Sequence, residues 1–264
     1  MLGKLMKYEW KSTWKLLVPA NLLIIVMTLL ACITVRIDFY DSDIEGIEFI
    51  AVLIILMYVL SMFVVLVGGA IYLIYRFYTS TYGDQGYLLH TLPVDKHHII
   101  ISKVLVSALW IMLSSFLMYM SVIFLFHEEG DIFEEIINGL TTFGRIFTGT
   151  AYGEKVPIFT AVMMVITLVV NLFVRVLKVT ACISLGQLSP NHKVMLSFAY
   201  YFAFYVLQQT VNGCYLIFMA YVSRNTGNWM FEVTWEFSLL IGLIYTVVFY
   251  ALTWHVMDKQ LNLD

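Results

Sequence analysis

Six uninterrupted apolar stretches dominate this chain of 264 residues. A helix needs roughly 20 mostly apolar residues to cross the hydrocarbon core of a bilayer, and these stretches have about that length or more. Membrane-spanning strands would instead show about ten residues of alternating polarity. We therefore predict an all-α polytopic membrane protein, a single transmembrane domain over residues 1–264. The predicted spans are residues 16–35, 49–75, 99–126, 156–177, 194–222 and 237–257.

The composition supports lipid as the solvent. Apolar residues make up 61% of the chain and charged residues 12%, whereas soluble domains are about one quarter charged. The three cysteines, Cys32, Cys182 and Cys214, each lie in an apolar stretch. Their odd number and their depth predict free thiols rather than a disulfide framework.

The basic residues predict an orientation. If the N-terminus is cytoplasmic, eleven of the fifteen basic residues fall inside and four outside, as the positive-inside rule favours. The four outside are Arg36, Arg145, Lys155 and Arg224. The eleven inside are Lys4, Lys7, Lys11, Lys15, Arg76, Lys96, Lys103, Arg175, Lys178, Lys193 and Lys259. An even number of spans then puts both termini in the cytoplasm.

The first fifteen residues have the pattern of a helix lying on the membrane surface. At 100° per residue, four lysines share one stripe and four apolar residues lie opposite. The lysines are Lys4, Lys7, Lys11 and Lys15, and the apolar residues are Leu2, Met6, Trp10 and Leu17. Lysines facing headgroups and tryptophan at the boundary are typical of an interfacial helix. The alternative is a basic flank that only sets topology.

The cytoplasmic connection between spans two and three, residues 78–98, is too apolar for a free loop. Asp84 can cap a short helix, and Pro93 ends it. Tyr87, Leu88 and Leu92 would form one apolar face suited to a groove on another protein. The alternative is a helical hairpin that packs on its own bundle, and the residues alone favour neither.

Short motifs at three places resemble bacterial type-2 ABC exporter permeases. The first runs from Gly86 to Pro93 and is followed by Ser102-Lys103. The second is the N-terminal stretch of residues 1–9. The third is Ser184-Leu-Gly-Gln-Leu with His192-Lys193 between spans four and five.

The resemblance implies a permease subunit of the bacterial cytoplasmic membrane that works by alternating access. Its partners would be separate ABC ATPase subunits, a second permease subunit in a homo- or heterodimer, and the lipid bilayer, with no nucleic acid. ATP and Mg would bind to the ATPase. The implied ATPase-docking residues are Tyr82, Asp84, Gln85, Gly86, Tyr87, Leu88, Leu89, Leu92 and Pro93, with Gln187 and His192 in a second contact.

The chain carries no legible nucleotide site of its own. A phosphate loop needs Gly-x-x-x-x-Gly-Lys-Ser/Thr, and the nearest match begins at Gly139 but has Arg145 and Ile146 in the last two places. Glu134-Glu135 lacks the arginine of a CAAX-type protease, because position 139 is glycine. His97 and His98 are adjacent, which does not suit a helical metal site. We therefore expect no catalytic residue, no metal and no cofactor on this chain.

Polar side chains within the spans are the candidate translocation path, namely Asn171, Gln208, Gln209 and Asn212. Polar groups at membrane depth are costly and mark function by default. The alternative is hydrogen bonding between helices, worth about 0.6 kcal/mol each. Arg175 and Lys178 are expected to snorkel towards the cytoplasmic end. The low charge of the spans favours a peptide, drug or lipid-like cargo.

A second functional class stays open from the sequence. The external loop, residues 127–155, holds six acids and a pattern of apolar residues at helical spacing. Such a loop can be a solvated surface helix or a site for cationic substrates. An ATPase-independent transporter or a sensor of cationic peptides is therefore the alternative to an exporter.

Overall fold

The computed structural model describes residues 2–36, 45–83, 86, 95–125, 158–189, 192–226 and 230–259. These residues form helices joined by turns, and the described ranges contain no strand. The helices are α1 (Leu2–Arg36), α2 (Glu45–Phe63), α3 (Gly69–Thr81), α4 (Lys96–Leu125), α5 (Ile158–Gly186), α6 (Lys193–Thr226) and α7 (Met230–Lys259), and a π-helical turn, Val64–Gly68, joins α2 to α3.

Six of the helical stretches are long and apolar enough to cross a membrane, which confirms the predicted number of spans. The shortest, Trp235–Asp258, has 24 residues. At about 1.5 Å per residue this is about 36 Å, more than the roughly 30 Å of a hydrocarbon core. The chain is therefore an all-α, multi-pass membrane protein.

The chain divides into two compact units. The first unit comprises Met1–Arg76 and Leu105–Leu140, and the second comprises Phe77–Val104 and Thr141–Asp264. Both α3 and α4 contribute residues to each unit. Each unit has its own packing and is described separately.

The first unit is anchored by tryptophans. Trp110 on α4 is 1% exposed and packs with Leu17 of α1 and Leu73 of α3. Its ring stacks on Trp10 with centroids 4.7 Å apart, and its Nε1 donates a 2.8 Å hydrogen bond to Thr13 Oγ1. These contacts fasten the N-terminal turns of α1 to the bundle.

The predicted interfacial segment, residues 1–15, belongs to α1 without a break, although Pro19 lies inside this helix. The four lysines are exposed, as the stripe predicts. The opposite face differs from the expectation, because Met6, Trp10 and Leu17 pack into the protein core instead of facing lipid. Placement of this segment along the membrane surface stays a prediction.

In the second unit, α5 packs against both α6 and α7. Gly242 lets α7 approach closely, because a Cβ there would lie 2.9 Å from Val170 Cγ1. In contrast, α6 is covered only along one stripe of half-buried residues. Within residues 193–221 of α6, Met219 is the one buried residue.

Several predicted features lie outside the described residues. They are the external loop at residues 127–155, the near match to a phosphate loop at residues 139–146 and the Glu134-Glu135 pair.

Candidate functional site

Helix ends converge at one surface of the second unit, which we call the basic end. It comprises residues 77–83, 86, 96–104, 180–189, 192–197 and 250–259, and it includes Lys96, Lys103, Lys193 and Lys259. Hydrogen bonds join the α3 end to α4 and α5, and the α4 start to α7. Two of the three exporter-like motifs contribute described residues to this surface.

One hydrogen bond connects the two segments that are predicted to contact an ATPase. The Tyr82 hydroxyl donates to Ser184 Oγ at 2.6 Å, across 102 residues of sequence. Ser184 is fully buried and donates in turn to the Thr180 carbonyl at 2.8 Å. Burial raises the pKa of Tyr82, and this effect is larger than the lowering of the pKa by the hydrogen bond to Ser184. The tyrosine is therefore a neutral donor that holds the α3 end against the α5 end.

The Ser-Lys pair of the first motif is buried at the start of α4. Ser102 is 1% exposed and donates to the Ile99 carbonyl at 2.9 Å. Lys103 is 5% exposed, and its Nζ donates to Ser80 Oγ at 2.5 Å. Buried ammonium groups need hydrogen-bond partners to offset lost hydration. Lys103 thus ties α4 to the last turn of α3.

Two glycines of the motifs permit close approach of the backbone. A Cβ on Gly86 would collide with the Thr81 carbonyl, and one on Gly186 would collide with Ser197. The Gly86 amide also donates to the Gly83 carbonyl at 2.7 Å, closing a turn after α3. At both predicted contact segments, a larger residue in place of the motif glycine would therefore clash with the neighbouring part of the chain.

Three buried polar atoms at the basic end have no hydrogen-bond partner among the described residues, namely Thr81 Oγ1, His98 Nδ1 and Gln187 Nε2. Thr81 is fully buried, so a second chain could not reach its hydroxyl directly. His192, in contrast, is exposed, and its carbonyl accepts from the Leu196 amide at 3.0 Å at the start of α6. The exposed imidazole of His192 can make polar contacts with a second chain.

A brace between α4 and α7 was missed by the sequence reasoning. His97 Nδ1 is 2.6 Å from the Tyr250 hydroxyl, and its ring stacks on Trp254 at 5.3 Å. Lys96 Nζ also pairs with Asp258 Oδ1 at 3.0 Å. The available signal was the spacing of Tyr250, Trp254 and Asp258, which places all three on one helix face.

The other predicted docking residues lie outside the described ranges. They are Asp84, Gln85, Tyr87, Leu88, Leu89, Leu92 and Pro93. Their contacts with an ATPase stay predictions, whereas Tyr82, Gly86, Gln187 and His192 are placed at the basic end.

The four predicted path residues lie on α5 and α6. Asn171 on α5 lies beside Gly242 of α7. Gln208 on α6 is half-buried and accepts a 2.9 Å hydrogen bond from Lys178 of α5. Gln209 and Asn212 are exposed on α6. Their role in a translocation path stays a prediction.

No group of three or more potential metal-binding His, Cys, Asp or Glu residues occurs in the described part of the chain. None of Cys32, Cys182 and Cys214 forms a disulfide; the first two are buried and Cys214 is exposed.

No protein-family model matches the chain, and no curated protein or solved structure is significantly similar to it. The resemblance to exporter permeases therefore rests on the three short motifs. The contacts that join two of them are the structural basis for a functional inference.

Proposed function

We propose that this chain is the membrane-spanning permease subunit of an ATP-driven ABC exporter in a bacterial cytoplasmic membrane. It would move a peptide, drug or lipid-like substrate by alternating access, while a separate ATPase binds ATP and Mg. The observation that carries the proposal is the hydrogen bond between Tyr82 and Ser184. It brings the two motif segments together, as a single docking surface requires.

The basic end is connected to the helices that a docked ATPase would need to move. Tyr82 links the α3 end to α5, and Lys103 links it to α4. Lys96 and His97 continue the connection from α4 to α7. A displacement at this surface would therefore be passed to α3, α4, α5 and α7 through short polar contacts, which are directional and stiff.

The surface also has the chemistry of a docking site. His192 is exposed at the start of α6, five residues after Gln187 in the same predicted contact segment. Basic residues concentrate on the side predicted to be cytoplasmic, where an ATPase would have access to ATP. An exporter permease accounts for both the position and the composition of this surface.

Copurification tests the proposal. The tagged full-length chain is extracted from host membranes in a mild detergent, and its partners are identified by mass spectrometry. We expect an ABC ATPase, encoded next to the permease gene, to be retained by the wild-type chain. Retention should fall at least fivefold for the double variant Tyr82→Phe with Ser184→Ala. The matched control is Tyr119→Phe, an exposed tyrosine of α4.

A folded, fully extracted chain that retains no ATPase, and whose transport does not depend on ATP, would contradict the proposal. That result would favour the ATPase-independent transporter or the sensor of cationic peptides. Equal loss of the ATPase in the Tyr119→Phe control would also contradict the specific docking surface.

A further inference from the structure

Lys178 points into the span instead of towards the nearest helix end. It lies eight residues before Gly186, the last residue of α5, which is about 12 Å along the helix axis. Its hydrogen-bond acceptor, Gln208, lies fifteen residues after the first residue of α6, about 22 Å along that helix. Gly186 packs against Ser197, so the α5 end lies level with residue 197, and Gln208 is eleven residues, about 16 Å, beyond that level. The hydrogen-bond acceptor of Lys178 is therefore on a residue that lies deeper than the Lys178 Cα.

The direction follows from helix geometry and corrects the expected snorkelling. Side chains in a helix tilt towards its N-terminus. In α5 the N-terminus is the end farther from Gly186 and the basic end. Lys178 is 6% exposed, whereas Arg175 on the same helix is exposed. The two cations, expected to behave alike, therefore have different environments.

The direct contacts of the Lys178 ammonium group are neutral, and its charged neighbour on the same helix, Arg175, is another cation. Its Nζ donates to Gln208 Oε1 at 2.9 Å and lies 4.8 Å and 5.6 Å from the ring centroids of Tyr201 and Tyr205. No salt bridge of the described residues includes Lys178. Tyrosine faces attract a cation without neutralising it. A buried cation in a membrane span that keeps only neutral partners retains the capacity to bind an anion.

Exposed aromatic residues of α6 border the Lys178 ammonium group. Tyr201 and Tyr205 are 40% and 45% exposed, and the same helix presents Phe198 and Phe202 at 72% and 68% exposure. These four aromatic residues lie three or four positions apart, so they border one face of α6. An apolar chain would lie along this face while an acidic group reaches the ammonium.

We propose that Lys178, Gln208, Tyr201 and Tyr205 form a binding site for the acidic group of an amphipathic molecule that enters sideways from the bilayer. The acidic group is a carboxylate or a phosphate, which accepts charge-assisted hydrogen bonds from the ammonium and from the tyrosine hydroxyls. The apolar part of the molecule packs on the exposed aromatic face of α6. This site does not depend on a partner ATPase.

Equilibrium binding of radiolabelled oleate to the purified full-length chain in a neutral detergent tests the site. Oleyl alcohol, which has the same apolar chain without the charge, is the paired probe. We expect the wild-type chain to prefer oleate at least tenfold, about 1.4 kcal/mol. Lys178→Met should abolish that preference, and Lys178→Arg should retain it within about threefold. The control Arg175→Gln should change it by less than about threefold, because Arg175 is exposed and acts on the site only through its charge.

The proposal is overturned if oleate and oleyl alcohol bind equally to the wild-type chain, or if Arg175→Gln removes the preference as completely as Lys178→Met. If Lys178→Met does not fold, the oleate-to-oleyl-alcohol binding ratios of the wild-type chain and of Arg175→Gln still test the proposal. Phosphatidylglycerol should compete with oleate, and phosphatidylcholine should compete at least tenfold less well. Competition by millimolar inorganic phosphate as strong as that by phosphatidylglycerol would indicate an anion taken from water, which contradicts entry from the bilayer.

Discussion

The tryptophan cluster of the first unit and the basic end of the second unit are held together by different kinds of contact. In the first, Trp10, Trp14 and Trp110 pack on one another, and the Trp110 donor meets Thr13. At the basic end, short hydrogen bonds join several helices, yet Thr81 and Gln187 keep buried polar atoms without partners among the described residues. The first region is held by buried aromatic packing, and the second combines polar links between helices with an exposed imidazole at His192.

From this difference we expect substitutions in the tryptophan cluster to affect mainly stability and substitutions at the basic end to affect mainly function. Aromatic packing contributes mainly through buried area, so its loss should unfold the protein. A few hydrogen bonds at a helix-end surface contribute modestly to stability, so their loss should mainly change docking. Variants in the two regions should therefore fall into two groups when unfolding and ATPase binding are measured together.

The largest expected loss of stability comes from Trp110→Ala. The side chain is 1% exposed, stacks on Trp10 and hydrogen-bonds Thr13. We expect a loss of about 3–5 kcal/mol in the free energy of unfolding, measured by denaturant titration in detergent micelles. Trp14→Ala is the control, because Trp14 is 51% exposed and touches the cluster at its edge. Equal losses in the two variants would contradict a core role for Trp110.

A smaller loss of stability is expected when the hydrogen bond between Tyr82 and Ser184 is removed. Ser184→Ala should cost about 1–3 kcal/mol, because it removes the acceptor of the Tyr82 hydroxyl. Tyr82→Phe removes the donor itself and should cost about 1 kcal/mol. A double-mutant cycle should give a coupling of at least about 0.5 kcal/mol. Additive losses would show that the two side chains do not interact.

The same tyrosine predicts a pH dependence. Burial raises the pKa of Tyr82 above its ordinary value of 10.0, so the folded protein keeps a proton that the unfolded chain releases. This contribution is fully present below pH 10 and is lost as pH rises through the folded-state pKa. The stability difference between wild type and Tyr82→Phe should be constant from pH 8 to 9 and change in favour of the variant above pH 10. A constant difference up to pH 12 would contradict a buried, neutral phenol.

The smallest effect on stability is expected at Asn212 of α6. Asn212 is exposed, so Asn212→Leu should change the free energy of unfolding by less than about 0.5 kcal/mol. Gln208→Leu removes the acceptor of Lys178 and should cost more, about 1–3 kcal/mol. Both variants should lower transport in membrane vesicles while expression stays near wild type. Unchanged transport in both would leave these residues with packing roles only.

The sequence allowed the spans to be predicted because apolar length is a local property. The stripe on α1 was also legible, since lysines repeat at helical spacing. The residues that cover the opposite face of α1 could not be predicted, because Trp110 lies 100 residues from Trp10 and only folding brings the two rings together. Helical spacing gave the side of α1 that is exposed, and tertiary packing decided what met the other side.

The residues of the candidate site could be predicted from the sequence, but most of their contacts could not. Tyr82, Gln187 and His192 came from motifs, and the structure places them at one end of the second unit. The Tyr82 link to Ser184 and the His97 contact with Trp254 join residues that are distant in sequence. The direction of Lys178 was misjudged, because snorkelling was assumed before the axis of α5 was considered. Pairings of this kind depend on three-dimensional packing that spacing alone does not encode.

Site-directed cross-linking tests the central claim, that the basic end docks a separate ATPase. His192→Cys carries a photoactivatable maleimide in a Cys214→Ser background, since Cys214 is the exposed thiol while Cys32 and Cys182 are buried. The control Tyr119→Cys carries the same reagent at an exposed position of α4. We predict an ATPase adduct from position 192 and none from position 119. An adduct from both positions, or from neither in membranes that contain the ATPase, would contradict the claim.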